Sequence, residues 1–203
     1  MKIGQKYNPQ ELKEYLDEDE IVDFLSPKVK ALADSLSRGA KTDEDIARHC
    51  FMYVRDNINH SGDYRDDITT LKASEVLKHS TGWCYSKSIL LAALLRANGI
   101  PAGFCYQRLS CNEYEDDKYC LHGLNAVYLK EHGWYRIDAR GNKDGVDAQF
   151  TPPYEKLAFE VGENEVDLYD IHVSPIYEVV EALKYNKTYA EMVDNFPDIK
   201  KHT

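Results

Sequence analysis

Residues 80–107, STGWCYSKSILLAALLRANGIPAGFCYQ, hold a cysteine, Cys84, between a Gly82-Trp83 pair and a long apolar run. The run to Ala97 reads as a buried helix, Asn98-Gly99 stops it and Pro101 bars its continuation. PAGFCYQRL, just beyond, reads as a strand. Cys84 therefore stands where a helix begins. Unpaired backbone N–H groups and the helix macrodipole favour negative charge there, the form in which a thiol is a nucleophile. Gly82 would let the backbone turn sharply and let a substrate approach, and the Cys84 N–H would serve as one oxyanion donor. Helix position alone fits equally well a small, buried, inert cysteine.

A nucleophilic thiol needs a base, usually a histidine oriented by a third group. His49, His60, His79 and His132 lie in polar or helix-surface contexts, and His172 and His202 in late, irregular sequence. His122 differs, because it opens a strand, HGLNAVYL, and Asp138 ends the next one, GWYRIDA. A hairpin centred near Lys130 would oppose His122 to Asp138 directly, on a face shared with Leu124, Ala126, Trp134 and Arg136. Gly133 is off that centre, so the turn requires a bulge or an asymmetric loop.

Outward from these segments, the first half of the chain reads as helical. NPQELKEYLDEDEIVDFLSP carries apolar residues near helical spacing and stops at Ser26-Pro27, and Lys28 to Leu36 repeats the pattern. Thr42 is an N-cap for the next helix, with Asp45 as a short capping-box partner. Residues 60–70 read as a loop and Ser74 as an N-cap. SCNEYEDDKYC (110–120) reads as an exposed acidic loop, 151–175 as irregular, and the segment from Ile176 as one or two helices. Helices first and strands later predict an α+β fold. We read one domain over 1–203, with a core at about 20–150 and an extension over 151–203.

With 203 residues, 43% hydrophobic and 30% charged, the chain can bury a substantial core without disulfide staples. A net charge of −10 without a Lys/Arg block argues against nucleic acid or an anionic membrane surface as partner. The N-terminal residues contain no apolar signal region, and five cysteines are an odd number, so we expect reduced thiols in a cytoplasmic protein. Cys105, Cys111, Cys120 and His122 lack the paired C-x2-C spacing of zinc sites. No EF-hand spacing accompanies the acidic clusters YLDEDE and YEDDK, and we expect neither metal nor cofactor.

GWCYSKSILLAALLRANGIPAGF resembles the nucleophile segment of the transglutaminase-like superfamily: Gly-x-Cys, an apolar helix, then Leu-Leu-Arg-x-x-Gly-Ile-Pro-Ala. HGLNAVYL resembles its histidine segment and GWYRIDARGN its Gly-Trp-x-x-x-Asp segment, in the same order. The resemblance implies a papain-like α+β fold, the cysteine helix packed on a small antiparallel sheet. It implies Cys84 as nucleophile, His122 as general base and acid, and Asp138 as the orienting acid. Apart from the resemblance, Trp83 and Trp134 either border the cleft or pack in the core, and His60 and the neighbouring loop are candidates to complete the oxyanion hole. Two departures, Leu124 for an aromatic residue and Asp138-Ala139-Arg140 for Asp-Pro-Thr, would reshape the substrate groove without removing a reacting atom. The implied activity is thiol-dependent acyl transfer on the carboxamide or peptide bond of a protein or peptide, with hydrolysis favoured over cross-linking. The alternative is a catalytically inactive binding or scaffold domain.

Overall fold

The computed structural model describes residues 1–111 and 118–199. Where the N-terminal periodicity predicts a helix, only a 3-10 turn forms, over Lys13–Leu16. The acidic run beyond it competes with helical pairing, because Asp19 Oδ1 accepts the N–H groups of Ile21 and Val22 at 2.8 and 2.7 Å. Helix α1 (Pro27–Ser37) opens with proline in its first turn, where the missing N–H costs nothing. In α2 (Asp43–Asn57) the short Asp45 does complete the capping box. Thr42 Oγ1 accepts the Asp45 N–H at 3.0 Å and Asp45 Oδ2 accepts the Thr42 N–H at 3.1 Å.

The stretch predicted as a loop at 60–70 instead contributes to β1 (Asn59–His60) and forms the short α3 (Ser61–Tyr64). Helix α4 (Ala73–His79) starts one residue ahead of Ser74, whose N–H goes to Asp23 Oδ1 at 2.9 Å. Strand β2 (Thr81–Gly82) runs parallel to β1 and sets His60 beside Gly82. Then come α5 (Cys84–Ala97), β3 (Ala102–Ser110), β4 (Tyr119–Leu129), β5 (Gly133–Ile137), β6 (Val166–His172), α6 (Tyr177–Tyr185) and α7 (Tyr189–Asp194). The four longer strands form an antiparallel sheet in the order β5-β4-β3-β6, and α5 packs on it, the α+β arrangement expected. Strand β6 falls inside the stretch that reads as irregular. Residues 112–117 of the predicted acidic loop lie outside the described residues.

Every residue of α5 from Cys84 to Arg96 is buried, which is why its sequence is apolar on all sides. Each of its leucines removed from water contributes about 1.5–3 kcal/mol. Its polar side chains are satisfied by main-chain carbonyls. Ser88 Oγ donates to Tyr85 O at 2.8 Å, Lys87 Nζ donates to Ile58 O, and Arg96 donates to Ala102 O and Asp17 O, each at 2.8 Å. A second apolar cluster, with Leu12, Tyr15, Leu124, Ala126 and Trp134, covers the other face of the sheet.

The hairpin is not centred on Lys130. Leu129 opposes Gly133 and Asn125 opposes Ile137, without a bulge. Gly133 takes φ +74°, a conformation open to glycine, and this lets a three-residue turn close the hairpin one position later. Asp138 thus lies beyond the paired ladder and meets His122 diagonally instead of face to face, while the even spacing keeps both on one side. The expectation of five reduced thiols is also corrected. Cys111 and Cys120 form a disulfide, Cα–Cα 6.0 Å, because the β3–β4 ladder brings the ends of their loop together. Cys50, Cys84 and Cys105 remain thiols.

Candidate active site

Strand β5 stops at Ile137, opposite Asn125, so β4 has no β5 partner over residues 119–124. Three chemistry-bearing side chains converge at that edge. His122 Nε2 lies 2.7 Å from Asp138 Oδ2. The Gly123 N–H donates to Cys84 Sγ at 3.4 Å, and the Cys84 side chain is close enough to His122 to favour the charged imidazole. The N-cap residue of α5, Trp83, makes no side-chain cap bond to the helix, so among the described residues no N-cap side chain occupies the first-turn N–H groups at the cysteine. Gly123 makes the approach possible: a Cβ there would sit 2.8 Å from Tyr85 Cδ1 and 3.2 Å from Tyr85 Cα.

Burial opposes charge on His122, yet the Asp138 carboxylate and the Cys84 side chain outweigh it and push the imidazole up to about 10. Burial would likewise raise Asp138, but His122 and two backbone N–H groups hold it below the usual carboxylate range. Those groups are Ala158 N–H on Oδ2 at 3.0 Å and Arg140 N–H on Oδ1 at 3.1 Å. Phe159 lays its ring edge-on to His122, centroids 4.9 Å apart. Arg140, where the Thr of Asp-Pro-Thr was expected, clamps Asp63 of α3 with two hydrogen bonds of 2.5 and 2.8 Å. The side of the site nearest α3 is thereby locked to the strand end that carries Asp138.

The three groups line or border a cavity of about 260 Å³, with His60, Trp83, Cys84, His122, Arg140 and Phe159 in its wall. Of the residues singled out in the sequence, Cys84, His122, His60 and Trp83 meet in that wall, and Asp138 lies directly behind His122. Gly82 is not in the wall. It is buried, and a Cβ there would sit 2.7 Å from Ser86 Cβ, so the close packing at this point requires glycine. Trp134 is also outside the wall, at the far face of the sheet against Tyr15 and Tyr128, ring centroids 4.8 and 5.7 Å away. Gly123, Ala158 and Phe159 escaped the sequence reading, which met Arg140 only as a departure from the Asp-Pro-Thr segment. Only Gly123, next to His122, carried a signal that could have been read: a glycine inside a strand marks close approach of another backbone. Among the described residues no group of His, Cys, Asp and Glu is placed to hold a metal ion.

The model of the transglutaminase-like superfamily core matches residues 30–139. Among solved structures, a candidate cysteine protease of Cytophaga hutchinsonii superposes with a TM-score of 0.52 at 16% identity, covering 66% of this chain and 43% of that one. The ethylmercury-bound periplasmic domain of TgpA from Pseudomonas aeruginosa gives 0.48 at 18% identity, covering 65% and 49%. Red sea bream transglutaminase gives 0.48 at 12% identity, covering 66% and 32%. This chain spans less than half the length of each of these three structures. At such identities the likeness is one of fold, the papain-like α+β arrangement. No curated protein matches the sequence.

Proposed function

This chain belongs to the transglutaminase-like superfamily, and we propose that it is a thiol-dependent acyl-transfer enzyme acting on amide bonds through Cys84, His122 and Asp138. One observation carries the reading: His122 is held 2.7 Å from Asp138 and shares a cavity wall with Cys84, which starts a helix and takes the N–H of the neighbouring Gly123 on its sulfur. Because Nε2 faces Asp138, Nδ1 is the nitrogen left for sulfur. His122 holds the proton lost by the Cys84 thiol while Sγ attacks the carbonyl carbon, an S–C bond forms and the carbonyl oxygen takes the negative charge. As the C–N bond breaks, His122 gives its proton to the leaving amine. Water deprotonated by His122 then attacks the thioester, the S–C bond breaks, and acid and thiol are released.

Asp138 keeps the imidazole oriented and stabilises its charged form. We favour water over an amine as acceptor, in keeping with the description of the Cytophaga protein as a candidate cysteine protease. The substrates we propose are proteins or peptides that present a carboxamide or peptide bond.

The test begins with iodoacetamide labelling of Cys84 across pH 4–9, located by peptide mass spectrometry, in wild type and His122→Ala. A glutamine-containing peptide mixture, with and without an added primary amine, is then scored for new termini, ammonia and amine adducts. Labelling that depends on His122, with any of the three products, supports the reading, and the product identifies the acceptor. Labelling indifferent to His122, with no product, leaves only a binding domain.

A further inference from the structure

We propose that the segment after α7, residues 195–199, is an autoinhibitory strap. It holds the edge of β4 on which an extended polypeptide substrate would lie, and the substrate enters by displacing it. The inference rests on the acyl-transfer reading and says how that site is kept from its substrate.

The position follows from the fold. Alternate residues of a strand turn their N–H groups to the same side, and β5 leaves β4 unpaired over residues 119–124. Gly123 spends its N–H on Cys84 Sγ. Leu121 carries the next N–H along that edge, and it donates to Pro197 O at 2.8 Å. One step from the nucleophile, the strap carbonyl therefore takes the donor that a substrate carbonyl would need in order to pair with β4.

Residues 195–199 form neither helix nor strand, yet they are fastened along their length. Phe196 lines the cavity with Cys84 and His122 and stands edge-on to Trp83, ring centroids 5.2 Å apart. Pro197 is buried. Asp198 accepts two hydrogen bonds from Arg108 of β3, at 2.7 and 2.8 Å. The hold is nonetheless one that a substrate can break. Proline has no N–H, so Pro197 returns no bond to β4 and the pairing does not grow into a ladder there. The Arg108 and Asp198 side chains are 20% and 24% exposed, so water weakens the latch they form. A polypeptide with an N–H at that position can add a bond to a β4 carbonyl, and an apolar side chain can take the place of Phe196.

The experiment opens the latch and asks what reaches the sulfur. Asp198→Arg sets two cations against each other, and the double variant Arg108→Asp with Asp198→Arg restores the pair with its charges exchanged. Hydrogen exchange of the Leu121 amide reads the strap, and exchange of the α5 amides reads general loosening. Cys84 is alkylated by iodoacetamide, which is small enough to pass the strap, and by iodoacetyl-tetraalanine amide, which carries a peptide backbone on the same reactive group. In Asp198→Arg, Leu121 exchange and alkylation by the peptide reagent should each rise about 5- to 10-fold, with the α5 amides unchanged and iodoacetamide within about twofold of wild type. The double variant should return both to near the wild-type rate. New termini, ammonia or amine adducts from the glutamine-containing peptide mixture should form faster in Asp198→Arg by the same factor.

Faster Leu121 exchange without faster alkylation by the peptide reagent overturns the proposal, because the strap then does not guard the sulfur. An unchanged Leu121 amide overturns it too, since the ion pair is then no latch. So does a parallel rise of both reagents and the α5 amides, and so do products that form at the wild-type rate. A strap that opens as expected, with no product from either protein, refutes the acyl-transfer reading instead, and with it the claim that the displacing chain is a substrate.

Discussion

Replacing Gly123 with alanine is expected to lever the cysteine helix away from the histidine strand. The added Cβ would sit 2.8 Å from Tyr85 Cδ1, 3.2 Å from its Cα and 3.3 Å from its N, where ordinary contact begins at 3.4 Å. The ring must give way by about half an ångström, and Tyr85 has little freedom to do so. It is 2% exposed and its hydroxyl donates to Leu121 O. The strain therefore passes to the first turn of α5, which holds Cys84. Overpacking of this kind costs about 1–3 kcal/mol, which lowers the melting temperature of a chain this size by about 2–10 °C. The shift also loosens the 3.4 Å approach of the Gly123 N–H to Cys84 Sγ.

Since a misplacement of about 1 Å can cost about 100-fold, Cys84 should react about 10- to 100-fold more slowly in acyl transfer. Thermal unfolding and the acylation rate with p-nitrophenyl acetate read the two effects. Gly99→Ala is the control. Gly99 has φ +71° and no atom within 4 Å of an added Cβ, so it should lose about 1 kcal/mol from backbone strain while Cys84 acylates normally. A Gly123→Ala protein that melts and acylates like wild type would falsify the claim that this glycine lets α5 reach β4.

Four further outcomes are expected. Unfolded protein should titrate three thiols before reduction and five after it. Folded protein should carboxamidomethylate Cys84 alone, because Cys50 and Cys105 are fully buried and burial pushes both thiols up to about 12; rapid native labelling of either would contradict the core packing. Asp138→Asn should destabilise by about 3–5 kcal/mol, the cost of breaking a buried pair. His122 is raised from 6.5 to about 10, so the pair's contribution is full below pH 6.5 and lost as pH rises through about 10. Urea unfolding of wild type and variant should therefore converge toward pH 10, and a gap that stays constant from pH 6 to 10.5 would count against the pair. Lys87 has the opposite sign. Burial first, then the charge of Arg140, lowers it from 10.5 to about 7, so its contribution is full above 10.5 and lost as pH falls through 7. Wild type should gain on Lys87→Met between pH 7 and 10 by up to about 1.4 kcal/mol per pH unit, and a flat difference would mean that the lysine is not buried as neutral amine.

The central helix was legible from residue 84 to residue 97 because burial on all sides leaves an unbroken apolar run and because Asn98-Gly99 is a local stop. Strands β3 to β5 were legible from their aromatic and β-branched content. The N-terminal segment was not, since its helical spacing is real but Asp19 offers the backbone a better local partner. Strand β1 and α3 were missed at residues 59–64 because two strand residues and one helical turn carry no periodicity. The hairpin register was misjudged by one position because a three-residue turn depends on where Gly133 takes its positive φ.

Sequence alone determined the central helix, strands β3 to β5, their order and the three candidate residues Cys84, His122 and Asp138. The tertiary structure decided how they meet: diagonally at the open edge of β4, with Ala158 and Arg140 holding the carboxylate through backbone N–H groups and Gly123 reaching the sulfur through its own. Backbone N–H groups are the same in every residue but proline, so no side-chain pattern announces which of them will face a charged atom. Local propensity is written in residue types, but the partner of a buried carboxylate or thiol is settled only when distant segments pack.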